Sequence, residues 1–149
     1  MNGAYIREIA LIGEENFKKL RRARVAVFGI GGVGSYAAEA LVRAGIGALT
    51  FIDGDAVAES NLNRQLIALR STLGKNKALV MKERAADIAP ECACEAADCF
   101  YDEKTADMFD LSRYDYIADC IDSVKNKILL ISRARAAGVP VISCMGAGN

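Results

Sequence analysis

An apolar run, Val25-Ala-Val-Phe28, enters a glycine-dense turn, Gly29-Ile-Gly-Gly-Val-Gly34, and a second apolar run, Ala48-Leu-Thr-Phe-Ile52, ends on Asp53. Few patterns restrict a fold so tightly. Short apolar runs bounded by glycine read as buried strands. Between them, residues 33–44 carry Ala37, Ala38, Ala40 and Ala44, a small-residue pattern suited to a helix packed closely on a sheet, and Gly45 and Gly47 stop it. Two strands joined through such a helix run parallel, with a right-handed crossover.

The turn itself points to phosphate. Glycines let the backbone approach an anion without Cβ clashes. The following helix directs its unpaired N–H groups and positive dipole end at the same place. An acid at the tip of the second strand, here Asp53, can accept hydrogen bonds from ribose hydroxyls.

The rest of the chain repeats the alternation. Residues 14–22 predict a short amphipathic helix, with Phe17, Leu20 and Ala23 on one side. Residues 54–73 are mostly polar, too long for a mere connector, and lie where loops usually carry function. Ala78, Leu79, Met81, Ala85 and Ile88 recur near helical spacing until Pro90. A short strand over 94–98, a short helix over 104–109, a strand over 114–119, a helix over 123–137 and a buried strand over 139–144 follow. The expected fold is therefore α/β, Rossmann-like and doubly wound, with a mostly parallel sheet and helices on both faces. The 149 residues make one domain. Met145-Gly-Ala-Gly-Asn149 reads as a loop leaving the last strand, as in a fragment of a longer polypeptide.

Composition narrows the chemistry. Nineteen basic residues balance nineteen acidic ones, so no charge excess announces nucleic acid. No apolar run is long enough to span a bilayer, and no signal segment opens the chain. Five cysteines without a disulfide-like framework suit a reducing cytoplasm, and all five read as small apolar or surface residues rather than nucleophiles. The chain has no histidine, which removes every mechanism built on imidazole. Catalysis must use carboxylates, lysine, arginine, cysteine, backbone amides or a bound metal.

A nicotinamide-binding domain shares the glycine turn and Asp53, but three features favour phosphate-transfer chemistry. Asn61-Leu-Asn-Arg-Gln65 sets a guanidinium among amide side chains in the long loop, where it can clamp phosphate oxygens. Gly74-Lys-Asn-Lys77 opens a helix with lysines, unfavourable for the helix dipole unless an anion compensates them. Asp119 and Asp122 flank the tip of a later strand, where one can cap the next helix and the other can bind Mg²⁺.

The GIGGVG turn, the Asp-x-Asp at 53–55, Asn61-Leu-Asn-Arg-Gln65, Lys77 and Asp122 together resemble the adenylation domain shared by ThiF/MoeB/HesA-type proteins and ubiquitin-activating enzymes. The likeness covers nearly the whole chain. Ile121-Asp-Ser-Val124 and Met145-Gly-Ala-Gly148 are similar to the branch that acts as tRNA threonylcarbamoyladenosine dehydratase. The resemblance implies that Gly29, Gly31, Gly32 and Gly34 shape the phosphate turn of an ATP site. Asp53 holds the ribose, with Asp55 beside it. Asn61, Arg64 and Gln65 lie along the triphosphate, Lys77 neutralises its charge and Asp122 holds Mg²⁺. Arg7 would reach across a homodimer into the partner's site. The implied reaction is adenylation of a carboxylate, either the threonylcarbamoyl group on a tRNA adenosine, leading to cyclisation, or the C-terminus of a ubiquitin-like sulfur-carrier protein. An inactive nucleotide-binding, dimerising scaffold and an NAD-binding Rossmann domain are the remaining alternatives.

Overall fold

A computed structural model describes residues 3–145. Five strands, β1 (Arg24–Phe28), β2 (Ala48–Ile52), β3 (Ala93–Ala97), β4 (Tyr116–Asp119) and β5 (Val141–Ser143), form one sheet in the order β3-β2-β1-β4-β5. Every pairing is parallel. The expected doubly wound α/β architecture is what the chain adopts.

Among the described residues five α-helices accompany the sheet: α1 (Ile6–Ile12), α2 (Glu14–Arg22), α3 (Gly34–Arg43), α4 (Lys77–Ile88) and α5 (Val124–Ala136). Side chains alternate across a strand, so β1 feeds two cores. Val25 and Val27 join Ala38 and Val42 of α3 and Met81 of α4 on one face. Ala26 and Phe28 join Leu130 and Ala134 of α5 on the other. Phe28, Tyr101 and Phe109 pack edge-on or tilted, with ring centroids 5.0–5.8 Å apart. Tyr5 leads into α1 and ties it to the body: it rests 5.0 Å from the Phe17 ring and donates its hydroxyl proton to Glu91 Oε1 at 2.7 Å.

Two local expectations need correction, and one helix was not expected. Residues 104–109 contain only a 3₁₀ turn, Ala106–Met108. Just before it, Asp102 and Thr105 accept one another's backbone N–H through their side chains. The strand expected to be buried over 139–144 is three residues long and lies at the sheet edge, with Ile142 58% exposed and Cys144 exposed. Among the described residues it pairs with β4 alone. Ahead of the expected helix at 14–22 stands α1, a seven-residue helix with Ile6, Ile9 and Ala10 at helical spacing, none of them fully buried. The loop expected after Met145 lies outside the described residues. No helix among the described residues is long and apolar enough to cross a membrane.

Candidate functional site: a crevice at the switch point of the sheet

The strand order reverses between β1 and β4, which leads outward to β2 and β3 on one side and to β5 on the other. In such sheets the ligand crevice opens at the C-terminal ends of the strands at that point. Here it is an open pocket of about 230 Å³.

Two glycines fix its floor. Gly29 has φ +88°, and a Cβ there would stand 2.6 Å from the Cys120 carbonyl oxygen, so β1 and β4 can exit side by side only without a side chain. A Cβ on Gly34 would strike the Gly29 carbonyl oxygen, which forces glycine where α3 folds back over the turn. Gly31 and Gly32 differ. The nearest atoms to a Cβ on either are side-chain atoms at 3.7 Å, so their bareness keeps the crevice open rather than the fold closed. No side chain caps the first turn of α3, which leaves its N-terminal dipole end turned to the glycine loop.

Asp53, at the tip of β2, is buried and lines the crevice. Its Oδ2 accepts the Ile30 N–H at 2.6 Å and its Oδ1 the Asp55 N–H at 2.8 Å, so it staples the glycine turn to β2. Burial pushes its carboxyl above the ordinary aspartate value, opposed by those two backbone donors. Lys77 is the first residue of α4, buried, with Nζ 3.1 Å from Asp55 Oδ2. Asp55, itself a crevice residue, is thus the carboxylate that faces Lys77 at this helix start. Gln65 is buried and lines the same crevice, and its Oε1 has no hydrogen-bond partner among the described residues. A buried carbonyl oxygen without a donor costs free energy, so this amide is poised to take one from a ligand.

Asp122 stands on the β4 side of the crevice, exposed. Neither aspartate caps α5: Ser123 does, its Oγ accepting the Asn126 N–H at 3.4 Å. Asp119 is instead fully buried below the crevice, paired with Lys127 at 3.0 Å.

The other sequence candidates lie apart from the crevice wall. Arg64 is exposed, its stem beside Gly32 and its Nη1 donating to the Ser60 carbonyl at 2.8 Å and Asn63 Oδ1 at 3.1 Å. Asn61 is buried, and its Oδ1 accepts the Ala58 N–H at 3.0 Å, closing a turn of the long loop. Arg7 is exposed on α1 and does not line the crevice.

Five residues around the crevice had no role argued from sequence. Phe100 and Tyr101 wall the crevice beyond β3, with Phe100 against Gly54, where a Cβ would come within 2.7 Å of it. Asn76 caps α4 and donates to the Asp53 carbonyl at 2.9 Å and to Asp98 Oδ1 at 2.7 Å, which joins the tips of β2 and β3. Lys127 shares the buried face of α5 with Leu130 and Ala134. A lysine on an apolar stripe was the signal available for it. Cys120 lines the crevice, but burial pushes its thiol up to about 12, which keeps it protonated and unreactive at neutral pH.

The sequence profile of the ThiF family matches residues 5–149. The chain is 46% identical over 138 residues to tRNA threonylcarbamoyladenosine dehydratase of Bacillus subtilis (strain 168), covering 93% of this chain and 54% of the relative. It superposes on the crystal structure of Escherichia coli tRNA N6-threonylcarbamoyladenosine dehydratase in complex with ATP with a TM-score of 0.94 at 43% identity, covering 97% of this chain and 60% of the other. A more distant relative, molybdopterin-synthase adenylyltransferase of Escherichia coli (strain K12), is 32% identical over 93% of this chain and 56% of its own length. The chain spans about half the length of the curated relatives it matches.

Proposed function

The chain belongs to the ThiF family, and from that premise we propose that it is an ATP-binding adenylation domain that activates a carboxylate, the threonylcarbamoyl group on a tRNA adenosine. The observation that carries the proposal is the convergence of the bare glycine turn, the orphaned Gln65 amide, buried Lys77 and Asp122 on one crevice at the switch point. The relatives named as dehydratases support the substrate.

In the proposed reaction a carboxylate oxygen of the substrate bonds to the α-phosphorus of ATP. The bond from that phosphorus to the bridging oxygen breaks, and pyrophosphate leaves with the electron pair. Attack on the resulting acyl-adenylate closes the ring, and AMP departs. Two anions must meet in the first step. Preorganised donors and cations serve such a step because they need not reorganise as charge shifts. Asp53 would hold the ribose, the α3 N-terminus and Gly31–Gly32 would hold the phosphates, and Lys77 would offset their charge. Arg64 lies beside Gly32, and rotation of its stem would carry the guanidinium from the Ser60 carbonyl to the phosphates. Asn61 would act by holding that loop in shape.

Asp122 fits Mg²⁺. It offers one exposed carboxylate in the crevice, and no group of three metal-binding side chains occurs among the described residues. Mg²⁺ favours this donor set, one or two carboxylates with phosphate oxygens and water. When bound it would neutralise phosphate charge. The same proposal includes a homodimer in which Arg7, exposed and away from its own crevice, reaches the partner's. A cytoplasmic setting goes with five free thiols.

Exchange of labelled pyrophosphate into ATP tests the reading. Exchange that depends on tRNA carrying threonylcarbamoyladenosine supports it. Exchange driven by the C-terminal tail of a ubiquitin-like carrier would instead place the chain with the molybdopterin-synthase adenylyltransferase, the second reading. ATP binding without exchange would leave a scaffold, and NADH binding without ATP affinity a dehydrogenase-type domain.

A further inference from the structure

Below the crevice, three polar side chains from three elements meet in an otherwise apolar end of the sheet. Asp119, the last residue of β4, is fully buried. Its Oδ2 accepts Lys127 Nζ at 3.0 Å and the Ser143 hydroxyl at 2.6 Å. Its Oδ1 accepts the Ile121 N–H at 3.1 Å. The backbone continues the same tie, because the Cys144 N–H donates to the Asp119 carbonyl at 2.9 Å.

Stability alone does not call for this arrangement. A buried ion pair contributes little net stability compared with apolar residues of the same volume. Its geometry does something more specific. The Asp119 carboxylate has one oxygen fixed by α5 and β5, and its other oxygen sets the backbone turn at Ile121. Asp122 is the next residue, and its carboxylate projects from that turn at the crevice wall. A rotation of the Asp119 carboxylate would therefore move Asp122. We propose that Lys127 and Ser143, acting through Asp119, are positioning residues that aim the Asp122 carboxylate at a divalent cation on the nucleotide. The inference rests on the nucleotide reading of the crevice.

Groups bonded directly to a metal ligand change metal affinity by about 10–100-fold when removed; Lys127 and Ser143 act further back, through Asp119 and the Ile121 N–H, so the lower end of that range applies. The test is equilibrium ATP binding by calorimetry on the full chain across a Mg²⁺ titration and in EDTA. Ser143→Ala should raise the Mg²⁺ concentration at half-effect by about tenfold, with ATP affinity in EDTA unchanged. Ser143→Thr keeps the hydroxyl and should restore the wild-type midpoint. Lys127→Met should move the midpoint in the same direction, and if that variant does not fold, the Ser143 pair decides. Asp122→Asn should remove the Mg²⁺ dependence altogether. An unchanged midpoint in Ser143→Ala, or an equal loss of ATP affinity with and without Mg²⁺, overturns the positioning role while the nucleotide reading stands. A wild-type chain that binds no ATP under either condition overturns both.

Discussion

Gly29 and Gly31 lie two positions apart in one turn and carry opposite burdens. Gly29 adopts a left-handed conformation against the Cys120 carbonyl, whereas a Cβ on Gly31 meets nothing closer than Gln65 Nε2 at 3.7 Å. Gly29→Ala should destabilise the chain by about 3 kcal/mol, through strain and the clash together, and lower the melting temperature by roughly 10 °C. Gly31→Ala should melt within a degree or two of wild type yet bind ATP more weakly, because its methyl would occupy crevice space. Calorimetric melting and ATP titration of both variants check the contrast. Arg64 is a third kind of residue: exposed, held only by Ser60 and Asn63 of its own loop, and beside Gly32. Arg64→Ala should leave stability within about 0.5 kcal/mol of wild type and reduce adenylation by about 10²–10³-fold. Near-normal pyrophosphate exchange in that variant would remove Arg64 from the transition state. Sequence spacing identified these residues but did not separate their duties, because what a Cβ would touch depends on neighbours remote in the chain.

Elements are joined by a few polar clamps, and one of them should respond to pH. Glu39 of α3 accepts from Nε and, at 3.0 Å, Nη2 of Arg84 in α4, and it also pairs with Arg43. These donors, Arg84 first, hold its carboxyl below its ordinary value of 4.5. A carboxylate lowered in the folded state adds stability above its unfolded pKa, and that contribution is lost as pH falls through the folded value. Glu39→Gln should therefore cost about 2 kcal/mol at pH 7, and the gap to wild type should close as pH drops below 4.5. Urea unfolding at a series of pH values reads this directly; a gap that stays constant into acid would show that Glu39 contributes packing rather than charge. At this scale the strands were legible because β1 after Arg24 is apolar and β2 is apolar apart from Thr50, as covered parallel strands are. The helix α1 was not, since seven residues are too short a window for its Ile6, Ile9 and Ala10 to establish a period. The edge strand β5 was misread as buried because Val139 and Val141 match a core run in composition, while exposure depends on what packs against them.

For the whole molecule, the crevice is built by residues from both halves of the sheet, from Asp53 and Lys77 on one side to Asp122 on the other. A ligand spanning it should stabilise the fold as a unit. At 100 times its Kd, ATP should add about 2.7 kcal/mol, a rise of roughly 5–10 °C in melting temperature, with NADH giving no comparable shift. A shift with NADH alone would point to a dinucleotide site. The sequence by itself determined the parallel, doubly wound sheet, the glycine turn and the family, because strand periodicity, glycine spacing and the Asn-Leu-Asn-Arg-Gln run are local properties of the chain. Only the tertiary structure decided that Asp55 pairs with Lys77, that Ser123 rather than an aspartate caps α5, and that Lys127 and Ser143 converge on Asp119. Each of those pairings joins residues on different elements or sets one neighbour against another, and burial, which fixes how strongly charges must pair, exists only once the layers have packed.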